Sequence, residues 1–233
     1  MITYVASGAL AVNNTDLSML VTAPACQAGD ILFAQTIAIG ASLDQLSLSG
    51  TWTMLADLSH GAIRYERLFC KIATAVDSEA QFTASKAVDN NETMGAIISA
   101  LRGQNSATPL DPATITTRQS GPNQTFVSTN SHDPQGADVH AIFFAWFYNN
   151  STDFTTPPVG TNPTWATRYD VESATGPFSM AMCSGDNDGA AFNPSWTCSL
   201  TGNQWASVLL ALNATQFVGL DGGTGVLTRR RRR

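Results

Sequence analysis

The chain repeats itself, and this constrains its fold more than any other feature. "AGDILFAQTIAI" at 28–39 resembles "GADVHAIFFAWF" at 136–147, and "TWTMLAD" at 51–57 resembles "TWATRYD" at 164–170. "QFTAS" at 81–85 sits where "SWTCS" falls at 195–199, and "MGAIISAL" at 94–101 where "WASVLLAL" falls at 205–212. Cys70 and Cys183 fall in comparable segments, and the offsets between blocks, from 108 to 114 residues, drift only by loop-sized insertions. Each copy, 1–112 and 113–216, offers about five or six apolar runs of strand length bounded by Gly, Asp, Asn or Ser clusters. None has the caps and sustained 3.6-residue period of a helix, although "TMGAIISAL" is ambiguous between helix and strand.

So few strands with open edges are poorly suited to stand alone. The two copies are therefore expected to complete one two-layered, jelly-roll-like antiparallel β-sandwich with an approximate internal twofold. Two separate small sandwiches are the alternative, opposed by the lack of a long polar linker between Arg102 and Arg118. Composition points the same way: 43% of residues are hydrophobic and 13% charged, and Lys71 and Lys86 are the only lysines. The abundance of Thr, Ser, Asn, Gly and Ala suits short strands and turns better than charged amphipathic helices, so the fold class is read as all-β. No apolar run approaches the roughly 18 residues that cross a bilayer, and "MITYVASGALAVNN" has no basic start followed by a long apolar stretch. The expectation is a soluble protein with no membrane partner and no Sec-type leader.

Motifs of catalysis are missing: there is no GxSxG elbow, HExxH pair or P-loop, and "GGTG" at 222–225 reads as a hinge, because no helix follows to present its N-terminus to a phosphate. Cys26, Cys70, Cys183 and Cys198 form no CxxC pair; they are read as buried free thiols, with a Cys183–Cys198 bridge across a hairpin as the weaker alternative. His60, His132 and His140 share no metal-ligand spacing. His140, near Asp138 in a strand, is read as a satisfied, partly buried histidine, and His132 as turn chemistry. Glu66 alternates with Arg64 and is expected in a solvated ladder pair; Asp170 and Glu172 are read as a solvated face rather than an acid/base pair. The chain is expected not to be an enzyme and to carry no cofactor. "SGDNDGAAF" at 184–192 is the best candidate metal turn: Asp186, Asn187 and Asp188 could offer hard oxygen ligands to Ca²⁺, yet the remaining ligands of an EF-hand loop are missing and the same residues make an ordinary hairpin turn.

Trp52 and Trp165 occupy equivalent places in the copies, and Trp196 corresponds to Phe82, as shared core positions would. In "HAIFFAWFYNN" alternation puts Phe143, Ala145 and Phe147 on one face and Phe144, Trp146 and Tyr148 on the other. The first copy has Thr36 and Ala38 where the second has Phe144 and Trp146. Either this is a central strand covered on both sides, or the face of Phe144, Trp146 and Tyr148 meets a neighbouring subunit.

The charge is divided along the chain. Of its 12 basic residues five are Arg229, Arg230, Arg231, Arg232 and Arg233, so the rest carries 7 basic against 18 acidic residues and is near −11 while the tail is +5. An acidic body without a basic stripe does not suit specific nucleic-acid binding. Residues 217–233 are read as a Gly-hinged arm whose guanidinium groups dock on an acidic partner surface.

Finally, "PACQAGDILFA", "GTWTML", "LFCKIATAVD", "ISALRG" and "TPLDPA" resemble the pattern of β-sandwich proteins of tailed bacteriophage particles and prophage regions: a Pro-x-x-x-x-Gly-Asp strand start, a Gly-Trp turn, a Lys-x-Ala strand end and an Arg-Gly turn. The resemblance covers roughly residues 18 to 212, and "PPVGTNPTW" departs from it by stretching the Pro-Gly-Trp turn. It implies a virion surface component of head-fibre, decoration or tail-fibre type, made in the host cytoplasm, oligomeric, and bound to other virion proteins through an acidic capsid or tail surface. It also leaves open a carbohydrate-binding adhesin or receptor-binding domain that meets a host surface glycan.

Overall fold

The computed structural model describes residues 1–40, 46–59, 64–87, 93–112, 115–124, 126–128, 131–136, 138–148, 158, 162–197 and 203–214, with only the backbone of 120–124, 126–128 and 203. The arm with Arg229–Arg233, the "GGTG" hinge, His60 and Cys198 lie outside the described residues.

All regular structure among the described residues is β, and it falls into four antiparallel sheets. The first large sheet runs β1 (Thr3–Ser7), β9 (Thr93–Arg102), β4 (Ile31–Ile39), β7 (Arg64–Ile72), β6 (Thr53–Ser59), with β2 (Ala11–Asn13) beside β1 on the same edge of β9. A small sheet of β3 (Ser18–Thr22), β8 (Gln81–Ser85) and β5 (Ser47–Leu48) accompanies it. The second large sheet runs β10 (Thr116–Gln124), β16 (Asn203–Asn213), β12 (Val139–Phe147), β14 (Ser179–Asn187), β13 (Ala166–Glu172), and its small companion pairs β11 (Phe126–Ser128) with β15 (Ser195–Thr197). The strand orders correspond: β9 with β16, β4 with β12, β7 with β14 and β6 with β13. Even the irregularities match, since the pairing of β6 skips Leu55 and that of β13 skips Arg168, the equivalent residues of "TWTMLAD" and "TWATRYD". A bulge bends its strand and re-aims one side chain, so a shared bulge is a strong mark of duplication.

The layering differs from the two layers expected. Each copy has its own small sheet, and the two large sheets pack face to face, making four layers. The reason lies in the central strands: β4 and β12 are buried at every position, so both faces need a cover. One face of β4 packs Leu32, Ala34 and Ala38 against Val21, Phe82 and Ala84 of the small sheet. One face of β12 packs Ala141, Phe143 and Ala145 near Trp196 of β15. Their other faces meet in a shared core that joins Ile31, Phe33 and Ile37 to Ile142, Phe144 and Trp146. Full burial also explains why "TMGAIISAL" was ambiguous: in β9, Met94, Ala96, Ile98 and Ala100 face the small sheet while Ile97 and Leu101 face the other large sheet.

The seam between the large sheets is locked by shape and by hydrogen bonds. Phe33 and Phe144 pack with ring centroids 5.4 Å apart and planes tilted by 53°. Gly95 leaves room for the ring of Phe178, which would lie 2.3 Å from any Cβ placed there. Gln35 donates from Nε2 to the Ala145 carbonyl at 2.7 Å and accepts at Oε1 from the Tyr169 hydroxyl at 2.5 Å, while the Trp146 indole donates to the Thr36 carbonyl at 3.0 Å. Satisfied buried networks of this kind fix one relative placement of the layers where apolar packing alone would tolerate several.

Candidate functional site

A chain of polar side chains lies at the end of the seam where β12 begins. His140 stands directly opposite Asp186 in the β12–β14 ladder, and its Nδ1 lies 2.8 Å from Asp186 Oδ1. Its Nε2 lies 3.0 Å from Ser184 Oγ, two residues along the same face of β14, and Arg168 donates from Nε to that hydroxyl at 2.7 Å. The Arg168 guanidinium then sits 5.4 Å from the ring centre of Tyr4, on the first large sheet. Because the Asp186 carboxylate only accepts, the neutral imidazole carries its proton on Nδ1, and Nε2 is left to accept from the Ser184 hydroxyl while the Ser184 oxygen accepts from Arg168. Burial holds the His140 imidazole below its ordinary pKa; the bond to Asp186 pulls it up, and the charge of Arg168 pushes it down. Burial likewise lowers the Arg168 pKa.

Ser, His and Asp at these spacings match the donor order of a nucleophilic triad, but the exposure pattern is reversed. Ser184 has no exposed surface and its Oγ is covered by Arg168, whereas the Asp186 side chain is 60% exposed. In this arrangement no substrate carbonyl reaches the hydroxyl.

The repeat shows what is unusual here. When strands are matched by pairing partners and by the face they present, His140 corresponds to Ile31, Ser184 to Cys70, Asp186 to Ile72 and Arg168 to Leu55. All four first-copy residues pack against the shared seam core. An apolar cluster in one copy is thus a hydrogen-bonded polar chain in the other.

The residues singled out from the sequence fall as follows. Phe144 and Trp146 are buried inside the seam, so the face assigned either to a covering layer or to a neighbouring subunit is covered by the first large sheet of the same chain. Tyr148 is half-buried at the far end, beneath the Arg64 guanidinium, 3.3 Å from its ring centre. Arg64 also donates to Gln204 across the seam, and both Arg64 and Glu66 are buried, not the solvated pair expected; a central strand covered on both faces has no solvated side. Asp186, Asn187 and Asp188 do not converge on a cation position. Asp186 serves His140, Asn187 Oδ1 accepts from the Gly189 amide at 2.8 Å, and Asp188 engages Asn162 and the Ala190 amide. Among the described residues no three His, Cys, Asp or Glu side chains group as a metal site. Cys183 is a free thiol, as are Cys26 and Cys70, and burial raises the Cys70 pKa to about 11. No helix among the described residues is long and apolar enough to cross a membrane.

Fold and seam together define an all-β protein whose two halves share a strand order and pack their large sheets on one core. No family model, curated protein or solved structure matches the chain.

Proposed function

We propose that the chain is a non-enzymatic structural component of the surface of a phage-like virion, a decoration, fibre or tail accessory protein, held in place by subunit contacts and by the basic C-terminal arm. The observation that carries this reading is the seam: one continuous core and its cross-sheet hydrogen bonds make the two sandwiches a single stiff body. Stiffness of this kind suits a spacer or cladding unit. The −11 body and the +5 end supply the polarity for docking on an acidic shell.

The test is to label the protein in purified particles of the phage or prophage that encodes it and to locate the label by electron microscopy. A discrete, repeated position on head or tail supports the proposal, and absence of the protein from purified particles refutes it. A glycan array separates the adhesin alternative, because a purely structural unit binds no sugar saturably.

A further inference from the structure

The polar chain of the seam joins the two sandwiches, and its joint is a histidine. Tyr4 belongs to β1, an edge of the first large sheet, and Arg168 to β13, an edge of the second. Between them and the exposed carboxylate of Asp186 run Ser184 and His140, with each bond fixed in direction by its neighbour. We propose that His140 is the acid-sensitive element of a clasp: protonation of its Nε2 breaks the Ser184–Arg168 link and releases the β1 edge from β13.

In the neutral state Nε2 is the acceptor for the Ser184 hydroxyl proton. A proton on Nε2 removes that acceptor and sets two cationic donors, at 3.0 and 2.7 Å, on one hydroxyl oxygen. The oxygen has a lone pair for each, but the Ser184 proton is left to find a new acceptor in a site with no exposed surface. The imidazolium and guanidinium held on one atom repel each other, which drives off the less buried of the two, Arg168. The charged groups around His140 have opposite effects. Asp186 on β14 favours the proton; Arg168 on β13 and the amino terminus at Met1 oppose it. Neighbouring Leu212 of β16, opposite His140 in the ladder, and Tyr4 add no charge that could offset Arg168. Asp186, largely in water, neutralises the imidazolium only in part. The comparison within the chain points the same way, since Ile31, Cys70, Ile72 and Leu55 show that this position in the fold needs no polar group for packing.

The sign of the pH dependence follows from burial. A histidine whose pKa is lowered by folding leaves stability untouched above the ordinary value of about 6.5, and removes it as pH falls from there through the folded value. The clasp therefore opens on acidification.

The experiment is amide hydrogen exchange on the full chain at pH 7.5 and 5.0, corrected for intrinsic rates, beside an NMR titration of His140. Exchange in β1 and β13 should accelerate at least tenfold at pH 5.0 relative to β4. His140→Gln, which cannot titrate, should abolish that acceleration. Arg168→Leu, which installs the residue of the first copy, should do the same, and it keeps the test valid if the histidine variant fails to fold. Unchanged protection of β1 and β13 in the unmodified protein, or the same acceleration in either folded variant, overturns the proposal. So does retained protection after His140 has visibly titrated.

Discussion

Gln35→Leu tests whether the seam is held by its hydrogen bonds or only by its packing. Leucine preserves most of the volume of Gln35, which is fully buried, so the change isolates the polar atoms. It removes the bond to the Ala145 carbonyl and the acceptor of the Tyr169 hydroxyl. Two net hydrogen bonds at about 1 kcal/mol each, with a buried phenol left unsatisfied at the low end of about 1–3 kcal/mol, give a loss of about 2–3 kcal/mol. For a chain of this size that is about 4–12 °C in Tm. The buried Ser99 hydroxyl, beside the Tyr169 phenol, can turn to take its proton and bring the loss toward the lower figure. Tyr169→Phe alone orphans the Gln35 carbonyl oxygen and should cost about 1–2 kcal/mol. The double variant removes both partners, so it should be less destabilised than the sum of the singles by at least about 1 kcal/mol. Urea unfolding followed by circular dichroism and by tryptophan fluorescence gives all four free energies. Unfolding should remain one transition in each, because residues of both sandwiches share the seam core. Strict additivity of the two variants would refute the coupling, and a split transition would refute the single stiff body.

Gly95→Ala should be destabilising by about 1–3 kcal/mol by thermal unfolding, because its Cβ meets the Phe178 ring and the seam has no room to yield; Phe178→Leu should recover part of that loss. For the ion pair of Asp30 with Arg102, burial raises the Asp30 pKa but the bonds from Arg102 and the Gln27 amide outweigh it, so the folded value is lowered. That contribution is complete above the ordinary carboxylate pKa and is lost as pH falls through the folded value; urea midpoints between pH 5 and pH 2 should therefore fall less steeply in Arg102→Met than in the unmodified chain. Deleting Arg229–Arg233 should leave Tm unchanged yet abolish co-sedimentation with particles, and attachment of the full chain should weaken with salt over a Debye length of about 8 Å. Equal, salt-insensitive attachment of both forms counts against the docking arm.

Much of the architecture can be read from the repeated blocks, and the failures have a common physical origin. "TWTMLAD" and "TWATRYD" align Trp52 with Trp165 and place Leu55 and Arg168 at one shared bulge. "QFTAS" and "SWTCS" align Phe82 with Trp196, each on a small sheet and packed against the large sheet of its own copy. The first block is different. Matching Asp30 to Asp138 puts Thr36 and Ala38 opposite Phe144 and Trp146, but the ladder pairs and the faces require a shift of one residue, so that Gln35 matches Phe144 and Ile37 matches Trp146. A slip of one residue sends every side chain of a strand to the other face. It therefore hid the match of His140 to Ile31.

The partner of His140 was hidden for a related reason. Asp138 is its neighbour along the strand, where residues two apart lie nearly 7 Å from each other. A residue directly across a ladder is about 4.5–5.5 Å away, and that residue is Asp186, whose place opposite His140 depends on pairing that no local pattern announces. Once the face is corrected, the repeat becomes an internal control. A duplicated sandwich supplies at every seam position a second residue solving the same packing problem, so agreement between the two, as at Ile97 and Val208, reports only the needs of the fold. Disagreement in a whole set of touching positions requires another cause. Four such positions differ together, Ile31, Leu55, Cys70 and Ile72 in one copy against His140, Arg168, Ser184 and Asp186 in the other, and the polar residues form a set: a buried histidine or serine alone would lack these side-chain partners in that layer. The needs of the fold therefore leave unexplained the end of the seam at His140, and that is where a role beyond packing is to be sought.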